Sequence, residues 1–338
     1  MTPILQPTPK GLYCSAGNFY IDPRQPVDRA VITHAHADHA RWGSRAYLCA
    51  AEGKTILQAR LGGDAAIEAL PYGEVRSVNG IVLSLHPAGH ILGSAQVRME
   101  KDGRVCVVSG DYKRAADPTC APLEPLRCHE FISESTFGLP IFRWPAAAVL
   151  RADINSWWQA NRDLGRTSVL FAYALGKAQR IIAGLDAAIG PILTHGAIEK
   201  FVACYRHSGV LLPPTRPAGS VADKELLKTA IVIAPPSADN PSWMRRFSDP
   251  ARAFASGWMR IRGNRRRRSL DRGFVLSDHS DWDGLVRTIM DTGAEQIAVT
   301  HGYASELARW LQENGRAAEV IPTAVHADEN DGGNEDDA

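Results

Sequence analysis

Four side chains able to bind a metal ion fall within six residues, in the segment HAHADH at residues 34–39. The segment directly follows the apolar run Ala30–Thr33, which we predict to be a strand. His34 and His36 project to the same side if the backbone stays extended, whereas Asp38 and His39 turn toward a second position. Imidazole suits zinc, and an added carboxylate tolerates manganese. The loop therefore predicts ligands for two adjacent divalent ions, Zn²⁺ or Mn²⁺.

A two-ion site needs ligands beyond this loop, and the sequence offers a further histidine and a carboxylate. His90 lies in the segment AGHILGS, whose glycines let the backbone approach an ion closely. His86 is its rival, but it lies within a run predicted to be a strand. Asp111 stands behind Gly110 at the end of an apolar run, where a carboxylate is well placed to bridge two cations. The alternative for Asp111 is an ordinary turn aspartate.

The tripeptide Thr-His-Gly occurs twice and supplies two candidates for a late histidine, His195 and His301. We prefer His301, because it ends a strand-like run that belongs to the returning core. His195 lies within a segment of different character.

The elements that must position these residues are short and β-rich at first. Gly80–Leu85, Arg104–Ser109 and Glu130–Ser133 are predicted strands. After Arg272 the pattern returns, with a strand at Gly273–Leu276, a helix at about Asp281–Thr292 and a strand at Gln296–Thr300. Together these runs predict a sheet-rich core.

Between about Pro140 and Arg272 the pattern changes to an alternation of strand and helix. Helical spacing covers Pro145–Leu164, with an apolar side formed by Val149, Leu150, Ile154, Trp157 and Trp158. An apolar strand at Ser168–Ala174 and a helix at Lys177–Ala188 follow. This order predicts a parallel α/β insert.

Composition narrows the function classes. The chain has 338 residues, 45% of them hydrophobic, and a net charge of +1. It is long enough for two domains, and any affinity for an acidic polymer must come from a local patch. No apolar run approaches the roughly 20 residues that cross a bilayer, so no membrane association is predicted. The six cysteines form no C-x-x-C pair, which favours a reducing cytoplasm over a disulfide framework.

The HxHxDH loop, followed by His90, Asp111 and a late histidine, resembles the metallo-β-lactamase superfamily. ISESTFG (residues 132–138) and LSDHSD (residues 276–281) resemble the E-S-T-[FY]-G and S-x-H-[ST]-D elements of the β-CASP nucleases. YALGKAQ (residues 173–179) and ASGWM (residues 255–259) are similar to their A-L-G-R-A-Q and S-S-G-M elements, with Lys177 replacing an arginine and Trp258 intervening. The resemblance spans about Gly11 to Pro322. GLYC at residues 11–14, IDP at 21–23, Trp258 and DHSDW at 278–282 look most like the bacterial ligase-associated DNA exonuclease branch.

The resemblance implies an α/β fold, a metallo-β-lactamase αββα sandwich with an inserted α/β β-CASP cap and the active site where the two meet. The sandwich would comprise residues 1–140 and 272–326, and the cap residues 141–271. Residues 327–338 are acidic and lack apolar periodicity, so we expect a disordered tail.

The resemblance also implies two metal sites that share one carboxylate. One ion would be held by His34, His36, His90 and Asp111. The other would be held by Asp38, His39, His301 and the shared Asp111. Asp22 resembles the superfamily's early aspartate, which orients a ligand rather than binding metal.

Catalytic roles follow from the same resemblance. His279 is the candidate acid for the leaving oxygen, held by Glu134. Asp38 is a second catalytic candidate, assisting the nucleophile as well as binding metal. An ordinary structural contact remains the alternative for the pair of His279 and Glu134.

A run of arginines directly before the His279 motif suits a phosphate backbone. The predicted nucleic-acid contacts are Arg260, Arg262, Arg265, Arg266, Arg267 and Arg268, together with Lys177, Ser256 and Gly257 through their backbone N–H groups. A solvated basic loop is the alternative.

The sequence thus predicts a two-metal DNA nuclease, an exonuclease acting on single strands or DNA ends in repair. A DNA ligase or helicase is the partner that the resemblance implies. The alternatives are an RNA-processing β-CASP ribonuclease, a small-molecule metallo-hydrolase and a non-catalytic nucleic-acid-binding relative.

Overall fold

A computed structural model describes residues 3–261 and 270–321. These residues divide into two compact units, 3–142 with 279–321, and 143–261 with 270–278. Both contain sheets and helices, so the predicted α/β class is confirmed. In the described part of the chain, no helix has the length and apolar character needed to cross a bilayer.

The first unit begins with a run of short strands and one helix. In chain order these are β1 (Gln6–Thr8), β2 (Gly11–Cys14), β3 (Phe19–Ile21), β4 (Arg29–Val31), β5 (Ala46–Ala50), α1 (Lys54–Leu61), β6 (Ile67–Leu70), β7 (Val75–Val78), β8 (Ile81–Pro87), β9 (Ala95–Lys101), β10 (Arg104–Val108) and β11 (Glu130–Glu134). A 3₁₀ turn at Ala51–Gly53 precedes α1.

The second unit alternates helices and strands. They are α2 (Ala147–Asp163), β12 (Ser168–Phe171), α3 (Lys177–Ala183), β13 (Ile192–Thr194), α4 (Gly196–His207), β14 (Arg216–Pro217), α5 (Lys224–Thr229), β15 (Ile231–Ala234), α6 (Pro241–Met244), β16 (Ala251–Ala255) and β17 (Arg272–Phe274). All pairs in its sheet are parallel, in the order β14-β13-β15-β12-β16-β17.

The chain then returns to the first unit with α7 (Trp282–Thr292), β18 (Gln296–Thr300), α8 (Ala304–Glu313) and β19 (Ala318–Val320). The sequence prediction set this return at residue 272. In the structure β17 pairs with β16, and the units divide between Asp278 and His279.

Two sheets of the first unit share one core. One has the order β1-β2-β3-β4-β5-β6, and the other the order β19-β18-β11-β10-β9-β8-β7. Ile21 and Val31 of the first sheet belong to the same buried cluster as Leu83, Val97 and Cys106 of the second. Because side chains alternate along a strand, Val107 of β10 points the other way. It packs with residues of α7 and α8.

Three predicted elements of the insert differ in detail from the structure. The helical spacing predicts Val149 on the apolar side of its helix, but Val149 is 63% exposed. The predicted strand Ser168–Ala174 ends at Phe171. The helix predicted to reach Ala188 ends at Ala183, where Gly184 is its C-cap.

Candidate metal centre and active site

The carboxyl ends of three parallel strands meet at one edge of the second sheet. β10 pairs with β11 and β11 with β18, in a register that aligns Val108 with Ile132 and Glu134 with Thr300. Parallel strands end at the same edge, so Asp111, Glu134 and His301 are brought together there. β8 also ends at this edge, because two antiparallel steps through β9 restore its direction. The loop after β8 carries His90.

Four of the predicted ligands form a compact buried group, His34, His36, His90 and Asp111. Nδ1 of His36 lies 3.1 Å from Nε2 of both His34 and His90. Oδ2 of Asp111 lies 3.5 Å from Nε2 of His34 and 3.8 Å from Nε2 of His90. Ligands about 2 Å from a tetrahedral zinc ion stand about 3.3 Å from one another. The donor atoms and their spacing therefore fit a divalent ion.

The other predicted ligands gather around His39. Its Nε2 lies 3.4 Å from Oδ2 of Asp38 and 3.5 Å from Oδ2 of Asp111. The ring of His301 stacks on that of His39, with centroids 5.6 Å apart. Nδ1 of His301 is engaged by the Thr300 hydroxyl at 2.9 Å, which leaves Nε2 for a ligand. Asp111 thus lies between two sets of nitrogen and oxygen donors.

Asp22 contacts His39 of the HAHADH loop and Thr33, the residue before the loop. Its Oδ1 accepts the Thr33 backbone N–H at 2.8 Å, and its Oδ2 accepts the Thr33 hydroxyl at 2.6 Å. Oδ2 also contacts Nδ1 of His39 at 2.7 Å. The Thr33 hydroxyl has one hydrogen, which goes to Asp22, so at 3.1 Å it accepts a hydrogen bond from Nδ1 of His34. Nε2 of His34 is then left unprotonated and able to bind an ion.

Two glycines allow the close approach that the site requires. Gly110 has φ +56°, and a Cβ there would lie 2.7 Å from Cβ of Thr33. Gly89 has φ +75°, and its Cβ would meet the Lys113 carbonyl and lie 2.9 Å from the Leu123 nitrogen. Both positions therefore require glycine.

Burial and mutual charge set the protonation of the metal-free cluster. Burial alone would lower the pKa of His39, but the carboxylates of Asp38, Asp111 and Asp22 raise that pKa well above its usual value. Burial would raise the pKa of Asp111, yet the His39 and His279 rings hold it well below its usual range. Burial, reinforced by His39, lowers the pKa of His34 well below its usual value. His34 is therefore neutral and ready to bind an ion, whereas His39 must first lose a proton.

His279 faces Glu134 beside this cluster. Its Nδ1 lies 3.0 Å from Oε1 and 2.9 Å from Oε2 of Glu134, and 4.0 Å from Oδ2 of Asp111. Glu134 is 2% exposed and also accepts hydrogen bonds from the backbone of Tyr112 at 2.8 Å and the hydroxyl of Thr136 at 2.5 Å. Fixed in this way, the carboxylate orients the imidazole through Nδ1.

The rival histidines have other surroundings. His86 stands in β8, with Nδ1 3.1 Å from Glu124 and Nε2 2.9 Å from the Ser84 hydroxyl. His195 caps α4 in the second unit, where its Nδ1 accepts the N–H of Ala197 at 3.2 Å.

Lys177, predicted to contact nucleic acid, is enclosed by other groups of the second unit. Lys177 is 5% exposed, with its ammonium 3.6 Å from Oδ1 of Asp278 and 4.3 Å from the centre of the Tyr173 ring. Its backbone N–H, the group predicted to bind phosphate, is donated to the Leu175 carbonyl at 3.1 Å. Ser256 and Gly257 are also buried, and the N–H of Ser256 is donated to the Phe274 carbonyl at 3.1 Å.

Ser256 instead accepts the N–H of Trp258 at 3.2 Å and caps a 3₁₀ turn, Gly257–Arg260. Arg260 is exposed, as a nucleic-acid contact requires. Arg262, Arg265, Arg266, Arg267, Arg268 and the acidic tail lie outside the described residues.

Sequence reasoning missed two arginines beside the candidate site. A cavity in the first unit is lined by Asp38, His39 and Asp111 and also by Arg24 and Arg41. Arg41 stands two residues after the HAHADH loop, so its position in the sequence was a usable signal. Arg24 follows β3 and carried no such signal.

A comparison with known protein families finds no match. Among curated proteins, the chain is similar to a Probable DNA ligase of Opitutus terrae, with 31% identity over 92% of this chain and 30% of that protein. It is 26% identical to an RNase J-like protein of Methanocaldococcus jannaschii, over 53% of this chain and 50% of that protein. It is 28% identical to Endoribonuclease YSH1 of Yarrowia lipolytica, over 33% of this chain and 17% of that protein. The chain thus spans at most half the length of these relatives.

A solved structure shares the fold. It is a protein of unknown function from Enterococcus faecalis V583, with a TM-score of 0.59, 14% identity, and coverage of 87% of this chain and 79% of that one. At this identity the likeness concerns fold alone.

Proposed function

We propose that this chain is a two-metal phosphodiesterase that cleaves nucleic acid. Its relatives support the metallo-β-lactamase superfamily without selecting a branch. The observation that carries the proposal is the position of Asp111. Its carboxylate lies within 4.0 Å of ring nitrogens of His34, His39, His90 and His279. Both predicted metal sites and the candidate acid therefore converge on one side chain.

Two ligand sets would hold the ions. His34, His36, His90 and Asp111 would hold one, and Asp38, His39, His301 and Asp111 the other. When bound, two such ions neutralise phosphate charge and lower the pKa of water, which is the chemistry that phosphodiester hydrolysis needs. Of the ligands, Asp38 has a side chain that is 51% exposed. That exposure suits its second proposed role, which is to assist the attacking nucleophile.

His279 supplies the proton for the leaving oxygen. Its Nδ1 is held by Glu134 at 2.9 Å, so its Nε2 carries the transferable proton. The side chain of His279 is 17% exposed, compared with 2% for Glu134. The imidazole is therefore the member of the pair that a substrate can reach.

We propose single-stranded DNA or DNA ends as the substrate, cleaved by an exonuclease in repair. The likeness to a Probable DNA ligase supports this, because it covers 92% of the chain. The relatives named for RNA cleavage match smaller shares, 53% and 33%. They support RNA processing as the second candidate. A DNA ligase or helicase is the partner class that we propose.

End-labelled single-stranded DNA and RNA of matched sequence test the proposal. Metal-stripped protein would be incubated with each polymer after addition of Mn²⁺, Zn²⁺ or Mg²⁺. We expect metal-dependent shortening of DNA from one end, with RNA spared. Cleavage of RNA alone would favour the second candidate. If neither polymer were cut with any metal, the nuclease proposal would be wrong.

A further inference from the structure

One exposed tryptophan directly follows, in the sequence, a residue that lines the cavity of the candidate site. Trp42 is 77% exposed, whereas each of the other seven tryptophans is buried or half-buried. An exposed indole offers a large flat surface on which a nucleobase can stack. Its neighbour Arg41 lines the cavity that contains Asp38 and His39. Trp42 therefore adjoins a residue of the cavity wall in the sequence.

The turn that carries Trp42 is fixed. Tyr47 donates its hydroxyl hydrogen to the Arg41 carbonyl at 2.9 Å and accepts the Ser44 N–H at 2.8 Å. Val27 donates its N–H to the Ser44 hydroxyl at 3.2 Å and accepts the Arg45 N–H at 2.9 Å. Contacts on both sides of Trp42 thus hold the backbone of this turn.

The cavity next to this turn combines two arginines and an apolar wall with the carboxylates of the candidate metal centre, those of Asp22, Asp38, Asp111 and Glu134. Neither Arg24 nor Arg41 has an acidic partner within 4.0 Å in the part of the chain that the structure describes. Leu12, Ile21 and Ile132 line the same cavity. Unpaired guanidinium groups favour phosphate, and an aromatic face stacks on any nucleobase. The combination matches a nucleotide better than an inorganic anion or a purely apolar ligand.

We infer that Arg24, Arg41 and Trp42 bind the terminal nucleotide of a single strand on the side of His39 and Asp38. The two arginines contact its phosphates, and the indole stacks on a base. This inference rests on the proposed function, because it names the substrate contacts of the same site. It adds a binding surface outside the arginine run that the sequence singled out.

Equilibrium binding of a fluorescein-labelled single-stranded oligodeoxynucleotide, measured in EDTA so that no cleavage occurs, tests the inference. Trp42→Ala should weaken binding about tenfold, and Trp42→Phe should retain most of the affinity, because a phenyl ring still stacks. Arg41→Gln should weaken binding and make the plot of log affinity against log salt less steep by about 0.7, the value for one phosphate contact on a single strand. Arg309→Gln, an exposed arginine on α8, is the matched control and should match the wild type.

Cleavage assays on the same proteins separate this inference from the proposed function. If the wild type cleaves DNA while Trp42→Ala and Arg41→Gln bind as the wild type does, the inference is wrong and the function stands. If these variants bind more weakly but no protein cleaves with any metal, the inference stands and the function is wrong. A wild type that binds no oligonucleotide would overturn the inference.

Discussion

The imidazole of His279 and the carboxylate of Glu134 face each other, with Nδ1 3.0 Å from Oε1 and 2.9 Å from Oε2. Glu134 ends β11, whereas His279 begins the return of the chain after the second unit. The contact therefore joins, beside Asp111, two segments that are distant from each other in the sequence.

If His279 transfers a proton without binding metal, His279→Ala should keep its metal and lose cleavage rate by about 10²- to 10⁴-fold. Elemental analysis of the purified variant, together with single-turnover cleavage, checks both parts. His86→Ala, a histidine engaged by Ser84 and Glu124, is the control. Loss of metal in His279→Ala would instead make His279 a ligand.

Asp22→Asn should weaken metal binding and activity by about 10- to 100-fold, the usual effect of removing a side chain that orients a ligand. The asparagine keeps an acceptor for Thr33 but loses the charge opposite His39. Asp28→Asn is the control and should have no effect, because Asp28 forms only an exposed ion pair with Arg45, with Oδ1 3.7 Å from Nε. Zinc titration of the three proteins decides this, and equal affinities would contradict the role of Asp22.

Metal affinity should rise with pH because of His39. Its pKa is raised, so below that pKa it holds a proton that the second ion must displace, and affinity should increase by up to about tenfold per pH unit. The stability of the metal-free fold should instead fall as pH rises. Protonated His39 stabilises it fully below the ordinary histidine pKa of about 6.5, and this contribution disappears as pH rises through the raised value.

Calorimetric zinc titrations between pH 6 and pH 8, in buffers of different ionisation enthalpy, would count the protons released. Thermal unfolding of the metal-free chain over the same pH range checks the second part. Zinc binding without proton release would contradict the assignment of His39 as a ligand.

Gly89→Ala should destabilise the fold and displace the His90 loop, because its Cβ would meet the backbone of Lys113 and Leu123. Gly103→Ala is the matched control, since Gly103 also has positive φ, +78°, but has nothing within 4 Å of the added Cβ. The control should cost only the left-handed strain, about 1 kcal/mol. Thermal unfolding and zinc affinity of both variants test this, and equal effects would show that crowding at Gly89 is unimportant.

Lys177→Met should lower the free energy of unfolding by about 3 kcal/mol, because it leaves the buried carboxylate of Asp278 without its lysine partner. It should leave the salt dependence of DNA binding unchanged. Denaturant unfolding and binding at several salt concentrations check the two parts. A shallower salt dependence would restore Lys177 as a phosphate contact.

Sequence spacing was sufficient to identify the donor cluster. HAHADH supplies four donors that are local in sequence, and the strand ends before Asp111 and His301 were visible as apolar runs. What the pattern could not supply is long-range register, which decides that Glu134 and Thr300 are paired neighbours. Nor could the pattern show that the loop after β8 places Nε2 of His90 3.1 Å from Nδ1 of His36.

The nucleic-acid contacts were less accessible to sequence reasoning. A lysine at a helix start suggests phosphate binding, but whether its ammonium reaches solvent depends on tertiary partners such as Asp278. The same limit hid Arg24, which becomes relevant only because β3 places it beside the cavity of His39. Local patterns therefore predicted which donor side chains lie together and not the surfaces around them.

Anomalous scattering from crystals grown with Mn²⁺ tests the central claim most directly. We predict two peaks that share Asp111, one among His34, His36 and His90 and the other among Asp38, His39 and His301. Asp111→Ala should lose at least one of them. Peaks that lie elsewhere, such as between His279 and Glu134, or a wild type with no peak, would contradict the two-metal centre.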